Sequence, residues 1–201
     1  MVATTEGAPV VKLTELSIPG AFVLESPVWS DDRGYFREWF KRDDLEEIGV
    51  NFPIHQANLS MSKRDVVRGL HYSMAPEGQA KLVTCVYGEI DDVIVDVRVS
   101  SPTYGLVEVV HLSANEERSV LVPGGAAHGF CVKSELGALS YLLSSPFNPD
   151  REFEINPFDS VLNVPWPLSG EAIMSKKDAE APTLMHRLWS GQLPRYVEGS
   201  L

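Results

Sequence analysis

The chain has 201 residues, of which 44% are hydrophobic and 22% are charged, proportions that are typical of one soluble globular domain. Its net charge of −11 disfavours nucleic acid as a partner, because the protein and the phosphate backbone repel each other. No run approaches the ~20 apolar residues that span a bilayer, so no membrane partner is expected. The first residues lack the basic and apolar parts of a signal peptide, which favours a cytoplasmic location.

After a loose leader over residues 1–12, short β-branched and aromatic segments alternate with turn residues. The predicted strands cover 21–29, 35–40, 54–61, 80–87, 90–99, 106–112, 118–122, 128–133 and 138–144. Helices are predicted at 42–48, 175–179 and 182–190, the second with a capping-box-like start in which Asp178 follows Ser175 by three residues. Many short strands and few helices predict a β-sandwich or closed barrel. We expect one domain over 1–201, with its core at about 13–167 and a helical segment at about 168–201 packed on it.

The two cysteines, Cys85 and Cys131, each lie in an apolar strand-like run. They are too few for a disulfide framework, and neither has a second cysteine at CxxC spacing. The pattern predicts two buried, reduced thiols, as in a cytosolic protein.

Basic side chains cluster in the run Val67–Tyr72, where Arg68 and His71 flank Gly69, and Lys81 opens the next apolar run. The chain has no GxGxxG or GxxxxGK[ST] loop, so phosphate binding would depend on side-chain cations. On neighbouring strands these residues could face one barrel interior and form a basic pocket for an anionic ligand. A surface arginine, a core histidine and an edge-strand lysine are the alternative.

A second histidine, His128, lies among small residues after the turn at Pro123–Gly125, where it could line a barrel mouth. Together with His71 and Glu89 it could form a site with two histidines and one carboxylate for a metal. Neither histidine segment contains a second nearby ligand, so no metal is expected.

Two further side chains could move or orient protons. Tyr141 is either a core aromatic residue or a phenol that donates a proton to a carbanion. Asp178 lies in a polar stretch, where helix capping or solvation is the interpretation that the residues alone favour.

The stretch Asp31–Glu38 combines a turn, a cation, aromatic residues and a carboxylate. In a strand, Phe36 and Glu38 would share one face, and such a face suits a nucleobase through stacking and hydrogen bonding. A hairpin with an exposed salt bridge is the alternative.

In their order and spacing these stretches resemble the dTDP-4-dehydrorhamnose 3,5-epimerase family, from about Leu13 to Pro194. The matching stretches are DDRGYFREWF, QANLSMSK, VVRGLHY, GQAKLVTCVYGEIDDVIVDVR, SPTYG, GGAAHGF, NPDRE and SKKDAEAP. The resemblance implies an all-β, cupin-like double-stranded β-helix, or jelly roll, with a few short peripheral helices. It also implies a homodimer with an exchanged N-terminal strand, no metal and no organic cofactor. The implied substrate is dTDP-4-keto-6-deoxyglucose, inverted at C3 and C5.

The resemblance also implies a role for each candidate catalytic residue. His71 resembles the base and Asp178 the carboxylate that orients it. Tyr141 resembles the acid on the opposite face of the sugar, and Lys81 the cation near the C4 oxygen. This chemistry needs them because a proton next to a ketone can be removed only if the enolate oxygen is stabilised.

The implied substrate contacts surround these groups. Arg33 and Arg68 resemble pyrophosphate ligands, Gln56 and Asn58 are polar neighbours, and His128 is a further candidate. Phe36 and Glu38 resemble thymine contacts that the partner subunit supplies in the family. Phe147 occupies a position that is usually tyrosine, which bears on substrate preference. Tyr72 and the turn Ala75–Gly78 also depart from the family pattern, away from the proton chemistry.

Three other functions remain as alternatives. A relative with the same pocket could invert only C3 or only C5, or shift the ketone. A sugar-nucleotide binding protein would bind dTDP without proton exchange, and a metal-dependent cupin dioxygenase would require a metal.

Overall fold

The computed structural model describes residues 11–47, 49–74 and 78–199. Most of the leader predicted over 1–12, Ile48 at the end of the first predicted helix, and residues 75–77 of the predicted turn lie outside these ranges. No helix within them is both long enough and apolar enough to cross a membrane.

Thirteen strands and three short helices make up the described chain. They are β1 Lys12–Glu15, β2 Phe22–Glu25, β3 Val28–Asp31, β4 Gly34–Arg37, α1 Arg42–Glu46, β5 Gln56–Lys63, β6 Val67–Ser73, β7 Lys81–Tyr87, β8 Glu89–Val95, β9 Val107–Ser113, β10 Arg118–Val122, β11 Ala127–Val132, β12 Leu136–Leu143, β13 Glu152–Glu154, α2 Lys176–Ala179 and α3 Leu184–Trp189.

Two antiparallel sheets form the body of the fold. One has six strands in the order β1-β2-β10-β7-β12-β5, and the other has five in the order β13-β6-β11-β8-β9. From β5 to β8 the chain changes sheet at every step, and it does so again from β9 to β12. This crossing pattern confirms the all-β jelly roll, while β3 and β4 form a separate two-stranded hairpin.

The main core lies between the two sheets, where alternate residues of each strand point inward. Val83, Ile94, Leu112 and Leu139 are fully buried there. Each such side chain contributes about 1.5–3 kcal/mol of burial free energy. This packing holds the sheets together and leaves one end of the sandwich free for polar side chains.

Two outer clusters cover the sheets. On the five-stranded sheet, Val93 and Val95 pack with Leu184 of α3 and with Leu193. On the six-stranded sheet, buried leucines of β2, β7, β10 and β12 pack with the segment around α1; they are Leu24, Leu82, Leu121 and Leu142. The carboxyl-terminal segment is therefore held against the sheet that carries β6.

The predicted strand over 21–29 is wrong as one element, because Pro27 separates β2 from β3 and cannot donate a sheet hydrogen bond. The predicted strands omit β1, β6 and β13. β1 and β13 have only four and three residues, and Gly69 weakens the strand signal of β6. Both cysteines are buried and free, as predicted.

Candidate functional site

His71 owes its position to a close crossing of β6 and β11. Gly69 adopts φ +120°, and a Cβ there would lie 2.6 Å from the Cα of Gly129. A Cβ on Gly129 would lie 2.7 Å from the carbonyl oxygen of Arg68. Only glycine fits at both positions. Gly69, which weakens the strand signal of β6 in the sequence, therefore also allows β6 to approach β11 closely.

A cavity of about 290 Å³ opens at this end of the sandwich. The structure brings together eight of the predicted site residues on its wall, which are Gln56, Asn58, Arg68, His71, Lys81, Tyr141, Phe147 and Asp178. Six lining residues escaped prediction, namely Gln79, Leu143, Glu152, Phe153, Ser175 and Lys177.

The wall is built from both sheets. His71 and Arg68 belong to β6 of the five-stranded sheet, whereas Lys81 and Tyr141 belong to β7 and β12 of the six-stranded sheet. A ligand between the sheets can therefore meet an imidazole on one side and a phenol on the other.

His71 and Asp178 form a close pair, with 2.7 Å between Nε2 of the imidazole and Oδ1 of the carboxylate. Asp178 is only 3% exposed, so the interpretation of a capping or solvated side chain is wrong. Ser175 caps α2 through the backbone N–H of Asp178, with an N–O distance of 3.0 Å, and the carboxylate is left to reach His71.

Burial by itself would raise the pKa of Asp178, but donors to the carboxylate lower it below its ordinary value. These donors are the side chains of His71 and Ser175 and the backbone N–H of Gly69. Asp178 is therefore an anion that accepts the Nε2–H of His71, which leaves Nδ1 of the ring to accept another proton.

Lys81 is 7% exposed, and its Nζ lies 3.4 Å from the carbonyl oxygen of His71. Burial lowers the pKa of this ammonium, while the charges of Glu152 and Asp92 act in the opposite direction. Burial also raises the pKa of Glu152, against the effect of Lys81. The cavity thus places a cation with little water around it beside the backbone of His71, in the cavity that the imidazole also lines.

Further polar side chains line the wall, together with Leu143, Phe147 and Phe153. Nε2 of Gln56 donates to Oδ1 of Asn58 at 2.9 Å, and the backbone N–H of Phe147 donates to Oε1 of Gln56 at 3.2 Å. Arg68 donates from Nε to Oγ of Ser62 at 3.0 Å and is exposed. Arg68 and Lys177 therefore add positive charge to the cavity of an acidic protein.

His128 does not line the cavity, and its predicted position at a barrel mouth is wrong. It is 8% exposed, and its Nε2 lies 2.7 Å from Oδ1 of the fully buried Asp92. Within the described ranges, no three histidine, cysteine or acidic side chains are placed to hold a metal ion. The alternative that joined His71, His128 and Glu89 therefore has no geometric support.

Arg33 and Phe36 lie on the β3–β4 hairpin, away from the cavity of their own chain. With Trp29 they line a second hollow of about 290 Å³, in which the Trp29 and Phe36 ring centroids are 5.8 Å apart. Arg33 forms an exposed ion pair with Asp31, as the hairpin alternative proposed. β4 ends at Arg37, so the predicted strand face shared by Phe36 and Glu38 is wrong.

Some of the missed residues carried a usable signal. The predicted capped helix places Lys177 beside Asp178, and both line the cavity. Glu152 carried none, because β13 has three residues and owes its place to its pairing with β6, where Glu152 lies opposite Ser73.

Comparisons with known proteins agree on one family. Residues 15–186 match the model of the dTDP-4-dehydrorhamnose 3,5-epimerase family. The chain is 40% identical over 185 residues to the dTDP-4-dehydrorhamnose 3,5-epimerase of Mycolicibacterium smegmatis, covering 92% of this chain and 91% of that one. It is 41% identical over 182 residues to a dTDP-4-dehydro-6-deoxyglucose 3-epimerase of Streptomyces, covering 90% and 93%.

A solved structure gives the same result. The fold is similar, with a TM-score of 0.88 and 36% identity, to the dTDP-6-deoxy-D-glucose-3,5-epimerase RmlC of Legionella pneumophila in complex with dTDP-4-keto-L-rhamnose. The match covers 93% of this chain and 99% of that one.

Proposed function

This chain belongs to the dTDP-4-dehydrorhamnose 3,5-epimerase family, and we propose that it converts dTDP-4-keto-6-deoxy-D-glucose to dTDP-4-keto-L-rhamnose by inverting C3 and C5. It is a carbohydrate epimerase of the isomerase class. One observation carries the proposal: an imidazole paired with a carboxylate and a phenol project from opposite sheets into the same cavity.

His71 is the proposed base. Its Nδ1 takes the proton from the carbon next to the C4 ketone. The electrons of the broken C–H bond form a double bond to C4, and the π electrons of the ketone move to the C4 oxygen to give an enolate. Asp178 accepts the Nε2–H and stabilises the imidazolium that forms, as carboxylates do for other base histidines.

Tyr141 is the proposed acid. Its O–H delivers a proton to the opposite face of the same carbon, and the enolate electrons form the new C–H bond. Solvent then returns a proton to the phenolate and removes one from the imidazolium. The net change is an isomerisation in which no carbon changes its overall oxidation level, so the reaction needs no redox cofactor.

Lys81 is the proposed stabiliser of the enolate. A buried ammonium acts more strongly on a developing negative charge than an exposed one, because little water screens it. Arg68, supported by Gln56 and Asn58, is the proposed contact for the dTDP part of the substrate. These contacts explain how a chain of net charge −11 binds an anion. The two buried thiols fit a cytoplasmic enzyme.

We propose a homodimer with an exchanged N-terminal strand, in which Arg33, Phe36 and Glu38 reach the partner's nucleotide. Two observations support this arrangement. The hairpin carries Arg33 and Phe36 on an exposed surface outside the cavity of its own chain. The edge strand β5 also exposes Leu59 and Met61, by 69% and 59%, which is an apolar surface that a second copy would cover.

Heterodimers of two variants test this arrangement. Phe36→Ala should raise KM, and His71→Ala should abolish turnover. A heterodimer of Phe36→Ala with His71→Ala can be isolated through two different tags. If Phe36 acts in trans, one of its two cavities has both His71 and Phe36, and the other has neither. The heterodimer should then show the wild-type KM with about half of the wild-type kcat. A heterodimer of Phe36→Ala with the double variant Phe36→Ala/His71→Ala is the control and should not recover. Failure of the first heterodimer to recover the wild-type KM contradicts contact in trans.

Proton NMR of dTDP-4-keto-6-deoxyglucose with the enzyme in heavy water tests the reaction itself. Each inversion replaces a carbon-bound proton with one from solvent, so deuterium should enter at both C3 and C5. If the protein binds dTDP but no deuterium enters at either carbon, the proposed epimerase activity is contradicted and the chain is a sugar-nucleotide binding protein.

A single-inversion epimerase is the second candidate function. The Streptomyces 3-epimerase is as similar to this chain as the 3,5-epimerase of M. smegmatis. In addition, Phe147 places a ring without a hydroxyl on the cavity wall. Deuterium at C3 alone would establish this candidate and exclude the double inversion.

A further inference from the structure

The β3–β4 hairpin is a small element that depends on other parts of the chain for its orientation. It has four residues in each strand, and within the described ranges neither strand pairs with a sheet of the body. Isolated two-stranded hairpins are at best marginally stable in water. Side chains that tie the hairpin to the body therefore determine where its exposed residues point.

The two faces of β4 differ in what they contact. Side chains alternate along a strand, so Tyr35 and Arg37 share one face and Phe36 projects from the other. The Tyr35 hydroxyl donates to the carbonyl oxygen of Ala114 at 3.1 Å. Phe36 is 62% exposed beside Trp29, with Arg33 in the same hollow. The hairpin thus has one docked face and one free face that carries two aromatic rings and a cation.

Arg37 makes most of the docking contacts. Its guanidinium donates to the carbonyl oxygen of Glu117 at 2.7 Å, to Oγ of Ser119 at 3.0 Å and to Oγ1 of Thr84 at 3.2 Å. A fourth, longer contact of 3.4 Å reaches the carbonyl oxygen of Glu116. One arginine therefore joins the end of β4 to the β9–β10 turn, to β10 and to β7.

The acceptors form a built site for a guanidinium. Ser119 and Thr84 are cross-strand partners, and they are 0% and 1% exposed. The Thr84 hydroxyl already donates to the carbonyl oxygen of Arg118 at 3.1 Å, so it faces Arg37 as an acceptor. The carbonyl of Glu117 also accepts the backbone N–H of Ser26 at 2.9 Å, just before β3. Both ends of the hairpin therefore meet at one carbonyl group.

We infer that Arg37 is a positioning residue for nucleotide recognition, which fixes the hairpin so that Phe36 and Arg33 reach the dTDP of the partner's cavity. The inference rests on the proposed function, because that function assigns the nucleotide to the free face. Arg37 itself points into the body, so its inferred role is to position the hairpin and not to bind the nucleotide.

Arg37→Met tests the inference, because methionine keeps an unbranched apolar stem and removes every donor. The KM for the sugar nucleotide and the Kd for dTDP, measured by titration calorimetry, should both rise about tenfold, which is the scale of losing hydrogen bonds to a charged group. The kcat at saturation should persist, since a loss of uniform binding raises KM without slowing the chemical step. Arg64→Met, which changes an exposed arginine in the β5–β6 turn, is the matched control and should leave both constants unchanged.

Ser119→Ala gives a second and milder test, because it removes one acceptor and keeps the arginine. It should raise the Kd for dTDP in the same direction by a smaller factor, and it decides the matter if Arg37→Met does not fold. Wild-type KM and Kd in both variants, or a fall in kcat at unchanged KM, would overturn the anchoring role.

The two proposals fail separately. If the wild-type protein incorporates no deuterium while Arg37→Met weakens dTDP binding, the epimerase proposal is contradicted and the positioning role of Arg37 is supported. If deuterium enters normally and the Kd for dTDP is the same in both proteins, only the positioning role of Arg37 is contradicted.

Discussion

His71→Ala should abolish deuterium incorporation at both C3 and C5 of dTDP-4-keto-6-deoxyglucose. The imidazole is the proposed base at both carbons. Asp178, whose Oδ1 lies 2.7 Å from Nε2, is the proposed partner that orients the ring. A positioned base contributes a factor of about 10²–10⁴ in rate, so the rate of exchange in the variant should be at least that factor below the wild-type rate. Proton NMR in heavy water measures it directly, because the C3 and C5 signals disappear independently as deuterium enters.

Tyr141→Phe is the matched comparison, since it removes one hydroxyl from the opposite wall of the cavity. Proton removal by His71 should continue, so some label should still enter, but reprotonation from the other face should fail and block net inversion. Exchange at the wild-type rate in His71→Ala would show that another group is the base. Equal loss of exchange in both variants would contradict the separation of the two roles.

Lys81→Met should lower kcat by about 10²–10³, the cost of removing one preorganised donor from a developing oxyanion. The lysine is buried beside His71, and methionine occupies a similar volume without the charge. Steady-state turnover together with the Kd for dTDP separates the effects, because the nucleotide contacts remain in place. A wild-type kcat in Lys81→Met would show that Lys81 does not stabilise the enolate.

The same lysine predicts a dependence on pH. Burial lowers the pKa of Lys81 below its ordinary value, so the ammonium loses its proton at a lower pH than an exposed lysine does. If the cation is required, kcat should fall as the pH rises through this lowered pKa. Lys81→Arg keeps a cation that does not titrate in this range, so its residual activity should lack that fall. An identical alkaline fall in the arginine variant would assign it to another group.

The geometry also explains why one cavity can serve both steps. Inversion needs a base and an acid on opposite faces of one carbon, and a sandwich supplies two walls whose spacing the packed core maintains. The imidazole comes from β6 and the phenol from β12, so the proposed base and the proposed acid belong to opposite sheets.

The sequence alone determined the elements whose patterns are local. Alternation in 91–99 predicted β8, and the short run 118–122 predicted β10, whose bounds match the structure. Turn residues between short runs established the all-β class. The ordered motifs indicated the family, because motifs and their spacing can be recognised without knowing which residues are in contact. The resemblance in turn indicated the eight candidates that line the cavity.

The tertiary structure shows which of these residues meet. The contact of Asp178 with His71 was implied by the family resemblance and not by the local pattern of either residue. Asp178 is 107 positions from His71, and its local signal, a capped helix, gave no reason to expect a buried carboxylate. Glu152 joins the site through the pairing of β13 with β6, whereas His128 is buried against Asp92 and does not line the cavity. Backbone patterns arise from neighbours in the chain, whereas the burial and charge of a site arise from surfaces that come together only when the two sheets close on each other.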